Sequence, residues 1–168
     1  LWLVLGVLAF HSLIAKPFYI PSESMLPTLR VGDQLIVSKY PYGYSFVTPT
    51  FHLLPPISGR IFGRVPERGD IVIVTPPQHS TDYIKRVIGL PGDHVVCCNA
   101  LGQITINGAP IDELSYLNLP EGDTAASNDP FDVVVPEDAV WLLGDNRDRS
   151  RDARAHQDLP SGGFVPMG

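Results

Sequence analysis

Short runs of β-branched and apolar residues, closed by glycine, proline or asparagine, recur at close intervals along this chain and leave little room for long helices. Gln34–Ser38 follows the Gly32-Asp33 turn, and residues 70–75 lie between Gly69 and Pro76. Tyr83–Gly89 and residues 93–97, 131–135 and 140–143 have the same make-up. Residues 103–106 and 109–111 flank Asn107-Gly108, a dipeptide whose tolerance of positive φ suits a two-residue hairpin turn. The 17 prolines and 15 glycines among 168 residues, with only 18% charged residues, fit many tight turns better than a helical bundle. The length suffices for one domain with its own core. The predicted fold is therefore all-β or β-rich.

Three stretches depart from this rhythm. Residues 1–15 are almost wholly apolar and end at Lys16-Pro17. They fall short of the roughly 20 residues needed to cross a bilayer. Three readings compete: part of a membrane-spanning helix, the apolar region of a signal sequence, or a buried helix stopped by Pro17. Residues 40–65 carry Tyr40, Tyr42, Tyr44, Phe46, Phe51 and Phe62 among prolines and glycines. They suit either a membrane–water interface or an aromatic hairpin packed on the domain. Residues 114–130, rich in Asn, Asp, Pro and small side chains, are expected to form a surface loop.

Charge and cysteines narrow the function. The net charge of −6, from 12 basic and 18 acidic residues, argues against a nucleic-acid partner. Cys97 and Cys98 are adjacent, so their side chains diverge in a strand. They are expected to be unpaired, half-buried residues near a turn. Two such ligands make no closed zinc site, and no metal or cofactor is called for.

The chemistry is carried by three runs. Ser24 lies in Ile20-Pro21-Ser22-Glu23-Ser24-Met25-Leu26-Pro27-Thr28-Leu29, and Lys85 in Tyr83-Ile84-Lys85-Arg86-Val87-Ile88-Gly89-Leu90-Pro91-Gly92-Asp93. No GxSxG elbow is present, and His52, His79, His94 and His156 lack motif spacing. A serine hydroxyl needs a base within hydrogen-bond reach, and a lysine can serve only when neutral. Lowering its pKa from about 10.4 to roughly 7–8 takes about 4 kcal/mol of desolvation and neighbouring charge. On an extended strand Tyr83, Lys85 and Val87 share one face, opposite Ile84, Arg86 and Ile88. Taken singly, Lys85 reads as an exposed strand lysine and Ser24 as a turn or capping serine. The third run, Gly144-Asp145-Asn146-Arg147-Asp148-Arg149-Ser150-Arg151-Asp152-Ala153-Arg154, alternates charges directly after the apolar residues 140–143. It therefore leaves the core near the centre of the fold, where such charges would pair into a network.

These runs, with Arg68-Gly69-Asp70-Ile71-Val72, closely resemble the signature blocks of bacterial type I signal peptidases. Four ordered blocks make the match specific. It spans residues 17–154, and residues 1–15 resemble the end of that family's membrane anchor. The resemblance implies a signal-peptidase/LexA-like antiparallel β catalytic domain over residues 17–168, with a small extension around 98–135. Residues 1–16 would be the C-terminal part of a transmembrane helix.

It further implies an endopeptidase at the bacterial cytoplasmic membrane, acting on its periplasmic face. The partners would be signal-peptide-bearing preproteins and the lipid bilayer, cut after small residues at −1 and −3, with the enzyme a monomer. Ser24 would be the nucleophile and neutral Lys85 the general base, its amine oriented by Ser150. The Ser24 backbone N–H and the Ser22 hydroxyl would form the oxyanion hole. Asp145, Arg147, Asp152, Arg154 and Arg86 would support the site. Phe18, Ile20, Met25, Tyr83 and Ile84 would line the substrate pockets. Glu23 stands where familiar relatives have glycine.

Other readings are a Ser/Lys self-cleaving regulator, a non-catalytic β-rich envelope protein and a histidine-based hydrolase. The first is disfavoured by the apolar residues 1–15 and by the lack of a helix-turn-helix pattern.

Overall fold

The computed structural model describes residues 15–38, 64–75 and 81–167, with the side chains of Ala15 and Lys16 left aside. The chain divides into two compact units: Leu1–Pro21 with Gly32–Pro66 and Gly168, and Ser22–Val31 with Glu67–Met167.

In the first unit, β1 (Ala15–Tyr19) pairs antiparallel with β2 (Gln34–Ser38), setting Phe18 opposite Leu35. The backbone closes this ribbon where Ile20 N–H donates to the Asp33 carbonyl and Gly32 N–H to that of Ile20, both at 3.0 Å. β2 was legible from its sequence. β1 was not, because Lys16-Pro17 reads as the end of a helix; in a two-stranded ribbon the proline needs no partner on its outer edge. The anchor expected over residues 1–16 therefore lies outside the described residues, except that Ala15 and Lys16 begin β1. The aromatic stretch at 40–65 also lies outside them, save Arg64 and Val65. No helix among the described residues is long and apolar enough to cross a membrane.

The second unit holds two four-stranded antiparallel sheets. One has the order β10-β9-β4-β3, from β3 (Ile71–Val74), β4 (Tyr83–Gly89), β9 (Ala139–Leu143) and β10 (Val165–Pro166). The other runs β7-β6-β5-β8, from β5 (His94–Cys97), β6 (Thr105–Ile106), β7 (Ala109–Pro110) and β8 (Phe131–Val134). The expected hairpin is present: Asn107 and Gly108, with φ of 52° and 83°, join β6 to β7, as a turn needing positive φ at both positions requires. Ile88, Val95, Ile104, Ile106, Phe131, Trp141 and Leu143 form the core of this unit. Trp141 lies between Phe131 and Phe164, with ring centroids 5.6 and 5.2 Å away. Each such side chain contributes roughly 1.5–3 kcal/mol of apolar burial. β4 is buried on both faces beyond Tyr83, and so it lacks a polar alternation.

Two expectations need correction here. Cys97 and Cys98 are joined as a vicinal disulfide rather than standing unpaired. The 114–130 segment is irregular, as expected, but it is pinned at both ends rather than simply solvated. Glu113, Ala126 and Ser127 are all buried at its base.

Candidate active site

β4 is central in its sheet, and alternation sends consecutive side chains in opposite directions. The Lys85 Nζ donates to Ser24 Oγ at 2.8 Å and to the Ile84 carbonyl at 2.9 Å. Arg86, the next residue, clamps Asp145 with two bonds of 2.7 Å and also reaches the Gly69 carbonyl. Ser24 sits in a short turned segment where Leu26 N–H donates to the Glu23 carbonyl and Leu29 N–H to that of Met25. That segment is tied to the 144–154 loop by Asn146 N–H to the Ser24 carbonyl, Asn146 Nδ2 to the Glu23 carbonyl and Thr28 Oγ1 to Asp145. Ser22 Oγ lies 3.3 Å from Ser24 Oγ.

Lys85 and Ser24 are 6% and 4% exposed, so water solvates neither group well. Burial lowers the Lys85 pKa from its ordinary value; Asp152 and Asp145 pull it up by less. A serine hydroxyl held 2.8 Å from an amine that resists protonation is the arrangement an amine-activated acyl transfer requires.

The supporting charges are paired and buried. Asp152 accepts from Arg154 Nε and Nη2 and from Gly144 N–H. Arg154 also donates to Ser127 Oγ and to the Arg147 carbonyl. Arg147, fully buried, donates to the Gly144 and Ala126 carbonyls and pairs with Glu113. Glu113 escaped the sequence reading because nothing local distinguishes it from neighbouring loop carboxylates. Tyr116, whose ring lies 4.0 Å from the Arg86 guanidinium, was missed for the same reason; burial and Glu113 push its pKa upward.

The expected bond from Ser150 to the Lys85 amine is not made. Ser150 Oγ is buried without a hydrogen-bond partner and packs where a Cβ on Gly144 would stand, while the Ile84 carbonyl takes the amine's second hydrogen bond. Of the expected pocket residues, Met25, Tyr83 and Ile84 belong to the second unit and Phe18 and Ile20 to the first. His94 forms an exposed pair with Asp132 across β5 and β8, away from Ser24's bond to Lys85.

The family profile described as signal peptidase, peptidase S26, matches residues 1–168. The chain belongs to that family. Among relatives of this signal peptidase family member, the signal peptidase I of Rickettsia typhi is 38% identical over 192 residues, covering 95% of this chain and 70% of that protein. The signal peptidase I of Rickettsia prowazekii is 37% identical over 194 residues, with the same coverage. A crystal structure of a signal peptidase I from Enterococcus faecalis V583 aligns at 30% identity with a TM-score of 0.48, covering 62% of this chain and 92% of that one.

Proposed function

We propose that this signal peptidase family member is a serine endopeptidase that removes signal peptides from exported preproteins, using Ser24 as nucleophile and neutral Lys85 as general base. The observation that carries the reading is the 2.8 Å contact between Lys85 Nζ and Ser24 Oγ in a desolvated setting. Lys85 takes the Ser24 proton as Oγ attacks the scissile carbonyl. The charge on the carbonyl oxygen is met by the Ser24 backbone N–H and the Ser22 hydroxyl, groups aimed at a charge that exists only in the transition state. Lys85 then passes the proton to the departing amine nitrogen, the C–N bond breaks, and an ester to Ser24 remains. Water attacks that ester with Lys85 again as base, which releases the signal peptide and regenerates the serine.

The roles of the remaining residues follow the same reading. Asp145, Arg147, Asp152, Arg154 and Arg86 fix the loop behind the dyad and exchange no protons. Ser150, with its unpaired hydroxyl, is assigned to the lysine amine after a side-chain rotation during the reaction. Met25, Tyr83 and Ile84 take the small side chains at −1 and −3. The apolar residues 1–15 support anchoring in the bacterial cytoplasmic membrane, the family resemblance supports catalytic residues on its outer face, and no metal or cofactor enters any step.

The reading is tested with a preprotein whose cleavage site is mapped by mass spectrometry. A single cut after small residues at −1 and −3 is expected, lost when the −1 residue becomes Phe; cutting unaffected by that change would contradict it. Gly144→Ala tests the fit of the loop. A Cβ there would stand 2.3 Å from Ser150 Oγ and 2.5 Å from the Ser24 carbonyl oxygen. Ser150 can rotate away, but the Ser24 backbone cannot, so the nucleophile shifts. A displacement of that kind costs on the order of 10²-fold in preprotein cleavage rate; activity within about two-fold of wild type would contradict the placement.

A further inference from the structure

On the Lys85 face of β4 lies a cavity of about 150 Å³ whose lining, Tyr83, Lys85 and Asp152 apart, has no role in the steps above. Val74, Tyr83, Leu142, Leu159 and Phe164 give it an apolar lining, and Lys85, whose Nζ bonds Ser24 Oγ, also lines it. Exposed Arg151 and half-buried His156 also border it. Asp152, its acidic lining residue, is already bound to Arg154 and the Gly144 N–H. Neither Ser24, Met25 nor Ile84 lines it, and Ile84 points to the other face of the strand.

We propose that this cavity binds the first two residues of the mature protein, +1 and +2 beyond the cut, and that Arg151 selects an acidic side chain among them. The inference rests on the endopeptidase reading. Its first argument is chemical. The lysine that takes the serine proton must return it to the leaving nitrogen, so the segment departing from that nitrogen has to pass Lys85. The cavity is the concave surface that Lys85 itself lines. Its second argument is charge. In a chain of net charge −6, the charged side chain left exposed at this border is a guanidinium, which attracts a carboxylate. The substrate side chains on the two sides of the cut are thereby sorted to different residues: Ile84 and Met25 before it, Phe164, Leu159 and Arg151 after it.

The test uses preproteins identical except at +1 and +2, with kcat/KM measured for wild type, Arg151→Glu, Arg149→Glu and Ser161→Trp. Arg149→Glu makes the same charge change two positions away, outside the cavity lining. Wild type should favour Asp over Lys at +2 by about five-fold, the scale of an exposed charge pair. Arg151→Glu should reverse that order, and Arg149→Glu should keep it. Ser161 is exposed at the cavity wall, so Ser161→Trp fills the space. It should slow a preprotein with Leu at +1 at least about five-fold more than one with Ala. A ratio that Arg151→Glu leaves unchanged, an equal shift in Arg149→Glu, or no dependence on +1 size in Ser161→Trp each overturns the inference while preprotein cleavage itself persists. If wild type cuts none of the preproteins, the endopeptidase reading fails and takes this one with it.

Discussion

Lys85→Ala and Ser24→Ala are each expected to lower kcat for preprotein cleavage by at least about 10³-fold, with the fold intact. That is the scale of losing a general base or a nucleophile, and the double variant should be little worse than either single one because the two act as a unit. The pH dependence has a definite sign. The working form of Lys85 is the neutral amine, so the rate rises with pH through an ionisation below lysine's ordinary value, as burial dictates. A rate flat from about pH 6 to 9 contradicts a lysine base. Stability carries the same signature. The folded pKa lies below the unfolded one, so between them the unfolded chain holds the extra proton and stability rises with pH. The penalty is full below the folded pKa and is relieved as pH climbs toward the ordinary value. In thermal melts, Tm of wild type should therefore rise relative to Lys85→Met over that window; a gap independent of pH would contradict the burial of a titrating amine.

Arg147→Met is expected to produce the largest loss of stability. It takes the cation from the Glu113 carboxylate, which is 4% exposed and keeps the hydrogen bond from the Tyr116 hydroxyl, and leaves the Gly144 and Ala126 carbonyls without the Arg147 donor. Removing one partner of a buried pair costs about 3–5 kcal/mol. In a domain of this length that corresponds to a fall in Tm of about 10 °C. The double variant Arg147→Met with Glu113→Leu removes the unpaired charge and should recover part of the loss. A single variant that melts within about 3 °C of wild type, or a double variant less stable than the single, would show that the pair does not hold the loop. Because Arg147 bonds the Gly144 carbonyl, and the Asn146 N–H bonds that of Ser24, the single variant should also lose activity.

The strands of the second unit were legible because their pattern is local. Tyr83–Gly89 is marked by its own apolar residues, and the β6–β7 turn by Asn107-Gly108. β1 was hidden by Lys16-Pro17, since a helix stop and an edge strand look alike until the partner strand is known. The meeting of Ser24 with Lys85, 61 positions apart, came from the ordered signature blocks rather than from composition. The Arg147–Glu113 pair and the Lys85-side cavity left no such mark. Both are made by segments that meet only after folding, and a buried glutamate has the same letter as a solvated one. The disulfide left no mark in the sequence, where adjacent cysteines on a strand read as diverging side chains.

The uncharged state of one amine underlies the whole mechanism. It is read most directly by following the ¹⁵Nζ chemical shift of Lys85 against pH in the Ser24→Ala protein. A midpoint clearly below 10.5, the ordinary lysine value, is the result expected from its burial; a midpoint at or above that value would contradict it.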